Sequence, residues 1–287
     1  MNSFLVVTSA RNLVAADVDA AQNALVAHGY KGGAAQGLDD YAVQIPFASD
    51  RPEFAPANWL PESDLDLNIT PARGREKRAL VADMDSTIIG VECIDELADY
   101  AGVKAEVAEI TERAMQGGLD FEGALIARVA LLKDLPVSKL GQCYDERVRL
   151  NLGARRLVQT MVARGAYTAL VSGGFTFFSS RVAAEAGFNE HRANVLERKG
   201  ERLTGTVEMP ILGRQAKLDA LLEICAAQKI APEETIALGD GANDLAMVKA
   251  AGLGVAYRAK PALAEQANAV LNHSDLRAVL ALQGLVV

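Results

Sequence analysis

The chain has little cysteine, little histidine and no surplus of positive charge. Its three cysteines, Cys93, Cys143 and Cys225, lie far apart and make neither a CxxC pair nor an even set for disulfides. Buried thiols in a reducing compartment are therefore expected. The histidines His28, His191 and His273 lack the spacing of metal ligands, which leaves them structural or surface roles. A formal net charge of −8 repels nucleic acid and anionic membrane surfaces. The one dense basic run, Arg73-Gly74-Arg75-Glu76-Lys77-Arg78, reads as a solvated linker face rather than a phosphate-backbone patch. No apolar run approaches the length of a membrane span. The segment from Met1 to Thr8 lacks a basic n-region and reads as a first strand, not a signal peptide. These absences predict a soluble, cytoplasmic protein with no nucleic-acid or membrane partner. There is also no internal repeat and no low-complexity tract.

What is present is an apolar majority large enough for a sizeable core, since 50% of the 287 residues are hydrophobic. Three textures divide it. Residues 1–74 predict a small α+β domain, with strands at 4–8 and 41–46 and a helix at 18–28, ending where prolines and acids cluster around 52–71. From residue 75 onward, short continuous apolar runs at 79–83, 167–172, 235–239, 252–256 and 269–271 alternate with helical patterns such as 154–164 and 215–228. That alternation predicts an α/β fold with a doubly wound parallel sheet. Between about 90 and 153 the pattern is helical throughout, at 91–100, 105–115, 121–132 and 137–150, which predicts an all-helical cap insert hanging over the first core strand as a lid. Residues 192–198 and 202–207, around Lys199-Gly200-Glu201, predict a hairpin at the sheet edge.

The chemistry-bearing residues fall at the predicted carboxyl ends of those strands. Asp83 and Asp85, in Asp83-Met84-Asp85-Ser86-Thr87, are spaced to face one crevice. One carboxylate can attack phosphorus to form an aspartyl-phosphate, and the second can protonate the leaving alkoxide and later activate water. Taken alone, such a pair is more often a turn. Three further pieces follow in order: Ser172-Gly173-Gly174, able to cradle phosphate before a helix; Lys217, a cation near a helix start; and Gly239-Asp240-Gly241-Ala242-Asn243-Asp244 after another strand. Asp240 suits direct ligation of Mg²⁺, and Asp244 a hydrogen-bonded or water-mediated contact with it. Asn243 could instead cap the following helix.

These four motifs, spanning 79 to about 275, resemble those of the haloacid dehalogenase (HAD) superfamily. The second aspartate is similar to that of its phosphatases and mutases. The insert adds Glu92, Ala114-Met115, Phe121 and the run 128–136, a pattern that resembles the superfamily's phosphoserine phosphatase branch. The resemblance implies Mg²⁺-dependent hydrolysis of the small molecule phosphoserine, with Asp83 as nucleophile, Asp85 as acid and base, and Mg²⁺ held by Asp83, the Asp85 carbonyl and Asp240. It implies that Lys217, Ser172, Gly173 and Asn243 meet the phosphate, Glu92 the ammonium and Arg128 the carboxylate, with Met115 and Phe121 forming an apolar wall. On the residues alone, Glu92 could be a first-turn acid of its own helix, and Arg128 could pair with Glu122 or Asp134. A phosphotransferase acting on homoserine, another small-molecule phosphatase of the superfamily, and a non-catalytic amino-acid or phosphate sensor stand as alternatives. The N-terminal texture resembles part of an ACT-type amino-acid-sensing module, and serves equally as a packing element or a homodimer contact.

Overall fold

The structure, a computed structural model, describes residues 2–49, 56–115 and 118–286, with the side chains of Ala57 and Met115 outside the description. The chain begins with β1 (Ser3–Thr8), α1 (Ala15–Ala27), β2 (Gln36–Asp39), β3 (Ala42–Phe47) and β4 (Asp66–Pro71). These four strands form an antiparallel sheet in the order β2-β3-β1-β4. Leu5, Val7, Ile45, Phe47 and Leu67 alternate onto the face covered by Ala21 and Leu25 of α1. The sequence pattern missed two strands. β2 is short and polar, and β4 lies inside the proline-rich and acidic stretch whose first part falls outside the described residues.

The core carries β5 (Ala79–Ala82), whose four residues are all buried. The chain then turns into four helices, α2 (Cys93–Ala101), α3 (Lys104–Met115), α4 (Phe121–Ala130) and α5 (Ser138–Arg147). It returns through α6 (Ala154–Ala163), β6 (Tyr167–Phe175), α7 (Thr176–Ala186) and β7 (Glu190–Asn194), and then forms a hairpin of β8 (Leu196–Lys199) and β9 (Arg202–Val207). It ends with α8 (Arg214–Gln228), β10 (Thr235–Gly239), α9 (Leu245–Ala250), β11 (Leu253–Tyr257), α10 (Pro261–Ala264), β12 (Ala269–Leu271) and α11 (Ala278–Leu282). The six core strands are parallel in the order β12-β11-β10-β5-β6-β7, so the doubly wound sheet expected from the apolar runs is present. The order reverses at β5, with β10 on one side and β6 on the other, and a crevice opens at their carboxyl ends.

The hairpin expectation needs correction. Residues 192–194 belong to β7, paired parallel to β6 in the main sheet, and only 196–199 pairs with β9. The hairpin follows directly on the edge strand β7 and docks on the helical insert. Asp134 N donates to Leu203 O, Leu203 N to Leu135 O, and Val137 N to Glu201 O. Gly205, at φ +82°, permits this approach, because a Cβ there would lie 2.9 Å from Lys133 Cβ. The basic run is likewise not wholly solvated. Arg75 is buried, donating to the carbonyls of Ala281 and Leu282 and to Gln44 Oε1, while its guanidinium lies over the Phe4 ring.

The N-terminal sheet is bonded to the core along β4. Asn68 donates to Val270 O and accepts from Val270 N, replacing a strand ladder with one side chain. The buried Asp66 carboxylate accepts from the amides of Asn272 (2.9 Å), His273 (3.1 Å) and Ser274 (2.7 Å). Asp66→Ala leaves these amides without an acceptor and should lower stability in urea unfolding by about 2–4 kcal/mol, with Asp66→Asn intermediate.

Candidate active site

β5 ends at Ala82, and the backbone kinks immediately. Asp85 is extended (φ −67°, ψ 140°) and Ser86 is left-handed at φ 55°. This turn, not a continued strand, brings Asp83 and Asp85 to the same cleft. Asp83 N donates to Leu238 O at the end of β10, so the loop that follows β10 lies directly beside the nucleophile candidate.

That loop is organised by Asp244, which is fully buried. Its Oδ2 accepts from the amides of Asp240 (3.2 Å) and Gly241 (3.0 Å), and its Oδ1 accepts from Lys217 Nζ at 2.6 Å. Lys217, in the first turn of α8, also reaches Asp83 Oδ1 at 2.7 Å. It is 1% exposed. Burial alone would lower the Lys217 ammonium, but Asp244 and Asp83 outweigh it and hold the pKa raised. Burial, reinforced by Asp244 and opposed by Lys217, pushes the Asp83 carboxyl up. Burial also pushes Asp240 up to about 6, with Asp244 adding to the shift.

Asp83, Asp240 and Asp244 offer oxygens all within 4.8 Å of one another. Three carboxylates face one ammonium, and neither Asp83 Oδ2 nor the Asp240 side chain has a protein donor among the described residues. The donor set is all oxygen, carries excess negative charge and fits a hard divalent cation. Both oxygens of Asp244 already accept protein donors, so it suits an indirect contact. The Asp85 carboxyl is not in this cluster; its Oδ1 accepts from Cys93 N at 3.3 Å. Burial, with the charge of Glu92 second, pushes it up to about 7, where a carboxyl both gives and takes a proton.

The cleft encloses about 720 Å³, and Glu92, Phe121, Arg128, Ser172, Gly173 and Asn243 all line it. Met115 ends α3, and its side chain lies outside the described residues. Ser172 and Gly173 differ from expectation in setting. β6 runs on to Phe175, so these residues lie in extended chain before α7, and Ser172 Oγ accepts from Gly174 N at 2.8 Å. Glu92 is the N-cap residue of α2 but makes no capping bond; its Oε1 accepts from Ser86 Oγ instead. Arg128 is half-buried, bonds only to Ala124 O among the described residues, and pairs with neither Glu122 nor Asp134. Burial lowers its pKa, opposed by Asp95, Glu92 and Asp85. Asn243 is not the cap of α9, a position held by Asp244. On the cap side, Phe121 closes against the core so tightly that a Cβ on Gly173 would lie 2.7 Å from its Cζ. Asp95, Thr111, Arg214 and Lys260 also line the cleft. Sequence reasoning passed over them; the Asp95 position, three residues after Glu92 on one helical face, was the one legible signal.

A parallel sheet whose strand ends converge on four carboxylates and a buried lysine is the arrangement of an aspartate-based phosphoryl-transfer site. The family model for haloacid dehalogenase-like hydrolases matches residues 80–249, and the chain belongs to that family. Within it, the chain is 49% identical over 210 residues to the phosphoserine phosphatase of Polaromonas sp., covering 71% of this chain and 89% of that protein. A HAD family hydrolase from Salmonella enterica serovar Typhi superposes with a TM-score of 0.86 at 29% identity, covering 98% of both chains. A probable phosphoserine phosphatase from Vibrio cholerae gives 0.82 at 34% identity, over 98% of this chain and 86% of that one. No helix among the described residues is long and apolar enough to cross a membrane.

Lys217→Met removes the one cation between two buried carboxylates. In EDTA the variant should lose about 3–5 kcal/mol at pH 8. A buried carboxyl with a raised pKa takes up a proton as pH falls, so the loss should shrink by pH 5 and grow again as pH rises. Urea unfolding at both pH values checks the sign.

Proposed function

We infer that this chain hydrolyses O-phosphoserine to serine and phosphate through a phosphoaspartate on Asp83. The reading rests on the coexistence in one cleft of a phosphoryl-transfer centre with two opposite charges, Glu92 and Arg128, on the cap side. Among the described residues no carboxylate is bound to Arg128, which leaves a guanidinium available for a ligand carboxylate. Relatives at this level of identity that carry the name phosphoserine phosphatase support the same substrate.

In the proposed reaction Asp83 attacks phosphorus in line while Lys217 and the donors at Ser172 and Gly173 hold phosphoryl oxygens, with Asn243 beside them. Asp85 gives its proton to serine Oγ as the P–O bond breaks. The same carboxylate then takes a proton from the water that attacks the phosphoaspartate, returning free Asp83 and inorganic phosphate. Glu92 holds the substrate ammonium and Arg128 its carboxylate. Phe121 and Met115 wall the site from bulk water on closure. Mg²⁺, held by Asp83, the Asp85 carbonyl and Asp240 and indirectly by Asp244, would neutralise phosphoryl charge when bound. We assign the enzyme to the last step of serine biosynthesis in the cytoplasm, with residues 75–287 as the catalytic unit and the cap at about 90–153. Residues 1–74 are assigned as a separate ACT-like unit: the strand order of their sheet is that of a ferredoxin-like βαββαβ module.

Hydrolysis of a phosphomonoester panel with Mg²⁺, with and without homoserine, tests the assignment. Asp83→Asn should lower phosphoserine turnover by at least about 10³-fold, since it removes the nucleophile. Arg128→Ala should raise KM for phosphoserine about 10–100-fold, the worth of one charge-assisted pair, while sparing a simple alkyl phosphate. Near-normal turnover by Asp83→Asn, or an unchanged preference in Arg128→Ala, would sink the reading. Transfer to homoserine in place of phosphate release would make the enzyme a transferase.

A further inference from the structure

Two cations on the core side of the cleft take no part in the scheme above. Arg214 opens α8 and Lys260 immediately precedes α10; both are exposed and both line the cleft. Neither side chain has an ion pair or hydrogen bond among the described residues. Their places are set by the elements that hold the reacting groups. Arg214 is three residues before Lys217 and so shares its helix face, the face from which Lys217 reaches Asp83. Helical side chains lean toward the N-terminus, so on that face Arg214 lies on the outer side of Lys217. Lys260 N donates to Asp240 O at 2.9 Å, fixing this second cation to the carboxylate loop. Gly213, next to Arg214, lies close to Phe121 and Glu122, so Arg214 stands at the seam between cap and core.

A cation in the first turn of a helix opposes the helix dipole, and among the described residues no carboxylate pairs with Arg214, although Glu122 lies near the adjacent Gly213. The substrate supplies a reason for both charges. A phosphate dianion approaching a chain of net charge −8 meets Asp83, Asp85, Asp240, Glu92 and Asp95 in the cleft walls. Lys217, the cation that would attract it, is nearly sealed from solvent.

We propose that Arg214 and Lys260 form an anion-capturing pair at the mouth of the cleft, which takes the phosphate group from solvent and hands it inward to Lys217 and Ser172. The proposal rests on the phosphatase reading. A field that acts over distance should govern kcat/KM and fade with salt, because the screening length shrinks from about 30 Å at 0.01 M to about 3 Å at 1 M.

The test measures kcat and KM of the full-length enzyme with Mg²⁺, for phosphoserine and for p-nitrophenyl phosphate, at low and high ionic strength. Wild type is compared with R214Q/K260Q and with the charge-keeping R214K/K260R. At low salt R214Q/K260Q should lose roughly tenfold in kcat/KM on both substrates, chiefly through KM, within the range of electrostatic steering. At high salt the gap should close to about twofold, and R214K/K260R should behave as wild type at both. No loss at low salt, or a loss equal at both salts, overturns the pair. Turnover of p-nitrophenyl phosphate without turnover of phosphoserine instead overturns the substrate reading, and the salt comparison then stands on the aryl phosphate.

Discussion

The active site depends on one buried ammonium. Lys217 ties Asp83, at the end of β5, to Asp244, beyond the end of β10, and Asp244 in turn holds the two amides that shape the Asp240 loop. Without the cation, two carboxylates would face each other in a site closed to water, and at least one would be forced neutral. With it, β5, β10 and α8 share one polar contact, and the nucleophile candidate keeps a fixed direction. The remaining carboxylate oxygens point to a shared space that suits a divalent cation. A rigid floor of this kind leaves the cap free to vary the chemistry it admits.

The legible parts of the sequence were those under strong local constraint. A strand buried on both faces must be continuously apolar, so 79–83 and 235–239 could be placed within a residue of β5 and β10. The candidate site residues follow because a doubly wound sheet opens its crevice at the ends of such strands. Elements fixed by tertiary contact were harder to read. β2, with Gln36 and Gly37 exposed, is a strand because β3 pairs with it, not because its sequence demands it. Arg75 reads as a surface charge, and its burial is made tolerable by the C-terminal carbonyls of α11, Gln44 Oε1 and the Phe4 ring. Arg214 and Lys260 carry no motif at all, since a single exposed cation has meaning only through the cavity it faces.

The hairpin and the N-terminal sheet are joined to their neighbours by polar backbone contacts as well as apolar ones, since Val6, Leu38 and Ala42 of the sheet and Leu203 of the hairpin belong to the main core cluster. The strand-like bonds of β9 to residues 134–137 tether the cap to the core at a point far along the chain from the cap's own connections. Asp66 and Asn68 do the same for the N-terminal sheet, meeting the free backbone groups beside β12 that would otherwise form an open sheet edge.

In the proposed reaction Asp85 joins the specificity of the cap to the chemistry of the core. Its carboxyl is held by the first amide of α2 and is pushed up chiefly by burial, with Glu92 adding its charge. In the free site that charge helps keep the proton on Asp85. On the proposed substrate, an ammonium paired with Glu92 cancels much of the push, and Asp85 becomes the stronger acid just when a leaving oxygen lies beside it. A phosphate ester without the ammonium would leave the proton more tightly held. Recognition of the amino group would then be expressed in kcat as well as in KM, because Glu92, assigned above to the ammonium, adds its charge to the upward push on Asp85.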